Sequence, residues 1–133
     1  MRLENTDLVP TVVWLTGRPC AGKSTVALLV ADSVRAHGRS ARILDGDELR
    51  RTVSAGLGFS AEVYVDAPVS VCAARDLKGM YARARQGALR EFTGVSSPYE
   101  PPDAPDLHLD TVVEEPTESA HRVMTMLKAR GAL

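Results

Sequence analysis

The chain has 133 residues and a formal net charge of −1, which is enough for one domain with a real core and too little for a second. Balanced acids and bases supply no global field for nucleic acid. The opening MRLENTDLVP is polar and acidic where a signal peptide needs an apolar core, and no apolar run reaches the length of a membrane span. A single cytoplasmic domain over 1–133, with no nucleic-acid or membrane partner, is the expectation.

Residues 1–10 read as a flexible lead-in ending at Pro10. The run Val12 to Leu15 is rich in β-branched residues and lacks polar alternation, which predicts a parallel strand covered on both faces. Gly17, Gly22, Lys23 and Ser24 then complete the pattern G-x-x-x-x-G-K-[ST]. Beyond it Val26, Ala27, Val30, Ala31 and Val34 recur at helical spacing, and Gly38 supplies a stop. Strand, glycine loop and helix are the context in which this pattern cradles phosphate, because the loop N–H groups and the positive helix end form an anion nest.

The loop residues Gly17, Arg18, Pro19, Cys20, Ala21, Gly22, Lys23, Ser24 and Thr25 are therefore candidates for ATP binding. Lys23 reaches the β and γ phosphates, and the Ser24 hydroxyl is a ligand for Mg²⁺. Cys20 and Cys72 belong to no C-x-x-C pair and read as reduced thiols. Helix-end electrostatics could lower the Cys20 pKa and make it oxidisable, although a small residue tolerated in a tight loop is the simpler account.

Ala41 to Asp45 reads as a second strand, and its end carries Asp45 and Asp47, with Arg50 one helical turn further on. A carboxylate there can orient or deprotonate an acceptor hydroxyl, and an arginine can grip an anion bidentately. A turn aspartate followed by a helix cap explains the same residues. The run Gly56 to Ser60 is a loop, Glu62 to Asp66 a third strand, Val69 to Arg75 a short helix, and Lys78 to Gly87 a basic helix. Proline-rich Ser96 to Asp106 is an irregular connection. Leu107 to Thr111 is a last strand, and Thr117 to Arg130 a closing helix with Ala120, Val123, Met124 and Leu127 on one face. This alternation predicts a three-layer α/β/α sandwich with a mainly parallel sheet, the P-loop NTPase fold.

The two phenylalanines, Phe59 and Phe92, both sit in glycine-bearing loops, positions suited to stacking on a planar base, as they are to packing a loop onto the core.

The phosphate loop together with ILDGDELR, GLGFS, VYVDAPVSVCAARDLKGMYARARQG and REFTGVSSPYEPPDAPDLHLDT resembles the adenylyl-sulfate (APS) kinases of sulfate assimilation. The resemblance implies transfer of the γ phosphate of ATP to the 3′ hydroxyl of adenylyl sulfate, with Mg²⁺ as cofactor. It implies that Asp47 is the catalytic base or metal-linked orienter, supported by Asp45 and Lys23, with Ser24 and Asp47 at the metal. It places Arg50, Phe59, Phe92 and Lys78 with the acceptor, Arg75 near the donor nucleotide, 78–92 in a mobile lid, and a homodimer as a candidate assembly.

The pattern breaks between Ser60 and Ala61, where the family has a helical segment, a central strand and a serine turn. In the family's strand order, 2-3-1-4-5, the missing strand lies between the DGD strand and the phosphate-loop strand. Either those two strands pair directly, shifting Asp47 by about 4.8 Å, or an edge is left open. A catalytically impaired nucleotide-binding module, or another P-loop small-molecule kinase, are the alternative functions.

Overall fold

A computed structural model describes residues 11–44, 60–87 and 99–133. Three strands, β1 (Val13–Thr16), β2 (Ala61–Asp66) and β3 (Leu107–Asp110), form one sheet in the order β1-β2-β3, with both pairings parallel. The helices are α1 (Lys23–Ala36) after β1, α2 (Val69–Arg75) and α3 (Met80–Arg85) after β2, and α4 (Pro116–Ala129) after β3. This is the parallel α/β class expected.

Register decides which residues share a face. Leu15 pairs with Val63, Val63 with Leu107, and Val65 with Leu109, so the odd-numbered apolar positions line one side. Helices α1 and α4 pack along each other, and Val26, Val123, Met124 and Leu127 join Val63, Val65 and Leu109 in one buried cluster. Each such side chain contributes on the order of 1.5–3 kcal/mol. On the opposite face Tyr64 lies between His108 and Tyr99, with ring centroids 4.9 and 6.0 Å away. The Tyr99 hydroxyl meets the Thr16 hydroxyl at 3.0 Å, so the proline-rich connection is fastened across that face.

The strand expected at Ala41–Asp45 does not form over 41–44, which have no regular structure. A strand is stabilised by its lateral partner, and the stretch that the resemblance assigns to that partner is absent between Ser60 and Ala61. Nor is β1 buried on both faces: all four of its residues are half-buried. Among the described residues it pairs only with β2. Direct pairing of the DGD strand with β1 is therefore not seen there. The short helix expected over Asp47 to Val53 and nearly all of the Gly56 loop lie outside the described residues.

Candidate functional site

The three strands end together at Thr16, Asp66 and Asp110, and the segments that follow them converge at the carboxyl edge, where open α/β sheets collect ligands. The loop from Gly17 to Gly22 passes so close to β2 that a Cβ on Gly17 would overlap the Val65 carbonyl oxygen. Only glycine permits this approach. Within the loop Ala21 donates its N–H to the Arg18 carbonyl at 3.1 Å. Cys20 takes a left-handed backbone conformation with φ 66°, and Gly22, φ 113°, caps α1. The chain thus turns sharply into the helix, and Gly22, having no side chain, offers no cap to the first-turn N–H groups.

Lys23 folds back across the turn, its ammonium donating to the carbonyls of Gly17 at 2.5 Å and Arg18 at 2.9 Å. Burial lowers its pKa from the ordinary 10.5. Ser24 and Thr25 are exposed on the first turn. Arg18 reaches out of the loop, donating to the Ala67 carbonyl at 3.3 Å with its guanidinium carbon 5.3 Å from the Tyr99 ring centre. Pro19 accepts a 2.7 Å hydrogen bond from the Tyr81 hydroxyl, which anchors α3 beneath the loop. Tyr81 and Ala84 of the basic helix are buried, while Lys78, Arg83 and Arg85 are exposed.

Arg75 turns onto backbone. Its guanidinium donates to the carbonyls of Ala21 at 3.1 Å, Cys20 at 3.4 Å and Thr111 at 2.9 Å, and to the Thr111 hydroxyl at 3.1 Å. Reading motifs overlooked Thr111 and Tyr99, and the only signal for either was its place beside a strand end or in a proline-rich run. The expectation of a lowered Cys20 pKa is overturned: burial, followed by the negative charge of Asp76, raises the thiol. A raised pKa leaves less thiolate and a less reactive sulfur.

Asp45, Asp47, Arg50, Phe59 and Phe92 lie outside the described residues. Of the two expected Mg²⁺ ligands only Ser24 is described, with its side chain exposed, and among the described residues no group of three His, Cys, Asp or Glu side chains converges to hold a metal. A single hydroxyl fits Mg²⁺, which takes its remaining ligands from phosphate and water.

A parallel sheet whose first strand passes through a glycine loop into a helix N-terminus defines the P-loop class of α/β proteins. The adenylylsulphate kinase family model matches residues 9–62 and 60–110. The chain belongs to that family. It is 35% identical to the adenylyl-sulfate kinase of Halothermothrix orenii, covering 90% of each chain. It is 34% identical to the bifunctional enzyme NodQ of Azospirillum brasilense over 92% of its own length, but spans 28% of that protein. The structure of the Mycobacterium tuberculosis APS kinase CysC in complex with AMPPNP and APS superposes with a TM-score of 0.76 at 32% identity, covering 90% of this chain and 99% of that one.

The break is visible in the same comparisons. The two family-model segments meet at residues 60–62, and the alignment with the H. orenii enzyme runs over 166 residues against the 133 present here. The relative therefore contains a stretch with no counterpart in this chain.

Proposed function

We propose that the chain acts as a single-domain adenylyl-sulfate kinase, transferring the γ phosphate of ATP to the 3′ hydroxyl of adenylyl sulfate. The observation that carries this reading is the match to the M. tuberculosis enzyme, solved with AMPPNP and APS, over nearly all of that chain. The phosphate loop supports it. With donor bound, Lys23 exchanges the Gly17 and Arg18 carbonyls for β- and γ-phosphate oxygens, and the exposed N-terminal turn of α1 presents its N–H groups to the same anion. Ser24 would hold Mg²⁺, which neutralises charge on the transferring phosphoryl.

In the transfer, the bond from the acceptor 3′ oxygen to the γ phosphorus forms as the bond from that phosphorus to the bridging oxygen breaks, leaving ADP. Asp47 takes the hydroxyl proton or orients the hydroxyl, with Asp45 in support. Arg50 and Lys78 bind the anionic groups of the acceptor, while Phe59 and Phe92 sandwich its adenine. Residues 78–92 serve as the lid, whose exposed Lys78, Arg83 and Arg85 are its basic side chains.

A second reading, a nucleotide-binding module without turnover, rests on the missing segment. A strand displaced by one spacing moves its end group by about 4.8 Å, and misplacement by 1 Å can cost about 10²-fold. A coupled assay decides between them. Adenylyl sulfate-dependent ADP release that disappears in Lys23→Ala is the expected result. ATP binding without release of ADP by the folded protein would refute the kinase and leave the binding module. Within the kinase reading, loss of acceptor affinity in Phe92→Ala separates a purine acceptor from a sugar acid.

A further inference from the structure

The Thr111 hydroxyl, one residue past the end of β3, reaches the backbone of the phosphate loop. Its proton goes to the Ala21 carbonyl at 2.6 Å, with the Asp66 carbonyl at 3.2 Å as the longer contact. The same hydroxyl accepts from Arg75 at 3.1 Å, and Arg75 donates to the Ala21 carbonyl as well. Backbone fixes the threonine in turn: its N–H donates to the Asp66 carbonyl at 3.0 Å and its own carbonyl accepts from Arg75 at 2.9 Å. A Cβ on Gly22 would stand 3.4 Å from the Thr111 methyl, so the methyl faces Gly22 and leaves little room there for a side chain.

The consequence follows from the peptide plane. A trans peptide carries its C=O and the next N–H in opposite directions and resists twisting. Holding the Ala21 carbonyl toward Thr111 at the end of β3 therefore turns the Gly22 N–H away from that side. An N–H fixed in that direction before the ligand arrives costs no ordering on binding.

We propose that Thr111 is a positioning residue for polyphosphate binding: with Arg75 it clamps the Ala21 carbonyl and so aims the Gly22 N–H into the phosphate nest. This rests on the phosphate-loop reading of residues 17–24. The partner group is a polyphosphate chain, whatever nucleoside it bears. Loss of one such hydrogen bond weakens binding by about 3- to 10-fold.

The test uses Thr111→Val, which keeps the branched shape and the methyl, and Thr111→Ser, which keeps the hydroxyl. Titration calorimetry measures dissociation constants for ATP and for inorganic tripolyphosphate, which carries no adenine, with melting temperature followed alongside. The expected result is an equal rise in both constants for Thr111→Val and near wild-type values for Thr111→Ser. A rise for ATP alone would mean that Thr111 touches the nucleoside, and unchanged constants would mean that the loop holds its shape without it. Either overturns the proposal. Should Thr111→Val not fold, Arg75→Gln takes its place, because it removes the other donor to the same carbonyl; unchanged tripolyphosphate affinity there overturns the clamp. Wild-type protein that binds neither probe removes the phosphate-loop reading itself, before any variant is compared.

Discussion

Gly17→Ala tests the approach of the phosphate loop to the sheet. The added methyl would overlap the Val65 carbonyl oxygen, a backbone atom of a central strand that cannot rotate aside. Relief requires β1 and β2 to part beyond the Thr16 and Tyr64 pair or the loop to lift off the sheet. Overpacking of this kind costs about 1–3 kcal/mol, and backbone against backbone belongs at the upper end. For a chain of this size that corresponds to a fall in melting temperature of roughly 7–12 °C. A loop displaced by about 1 Å also loses its geometry for phosphate, with roughly a 10²-fold loss of function.

Gly38→Ala is the matched control. Gly38 has a positive φ of 79°, and a methyl added there would meet nothing within 4 Å, so its cost is backbone strain alone, about 1–2 kcal/mol. Circular dichroism melts and calorimetric ATP titrations should show both variants destabilised, with ATP affinity lost only in Gly17→Ala. If Gly17→Ala bound ATP as tightly as wild type, the claim that this approach shapes the loop would be wrong.

Two further outcomes follow from the same region. Tyr81→Phe removes the hydroxyl that donates to the Pro19 carbonyl at 2.7 Å from a side chain only 1% exposed, and should cost about 1–3 kcal/mol, read as a lower melting temperature. Burial lowers the Lys23 pKa below the ordinary 10.5, and only the charged ammonium attracts phosphate. ATP affinity should therefore decline as pH rises through that lowered value, an alkaline limb that begins before an ordinary lysine would titrate. The sign for stability is opposite: between the lowered folded value and 10.5 the unfolded chain binds more protons, so this group's contribution to stability rises with pH. Calorimetric titrations across alkaline pH, with Lys23→Met as the control lacking the limb, check it.

Elements stabilised within their own stretch of chain were legible without coordinates. Val69–Arg75 forms over the expected residues behind Pro68, whose extended backbone ends the preceding segment and stands at the N-cap. Ala120, Val123, Met124 and Leu127 were placed on one face by spacing alone, and all four are buried. The glycine-lysine pattern located the turn after β1 because that turn depends on residues adjacent in sequence. The strand expected at Ala41 failed over its described part for the converse reason: local propensity cannot supply a neighbouring strand.

The amino-acid order thus determined the parallel α/β class, the phosphate loop and the family to which the chain belongs, since each depends on short-range pattern. Only the tertiary structure brought Arg75 and Thr111, 36 residues apart, onto the same loop carbonyl, stacked Tyr99 on Tyr64, and turned burial against the Cys20 thiolate. Hydrogen-bond direction, close approach and desolvation are set by groups distant in sequence, and they exist only once the chain has closed on itself.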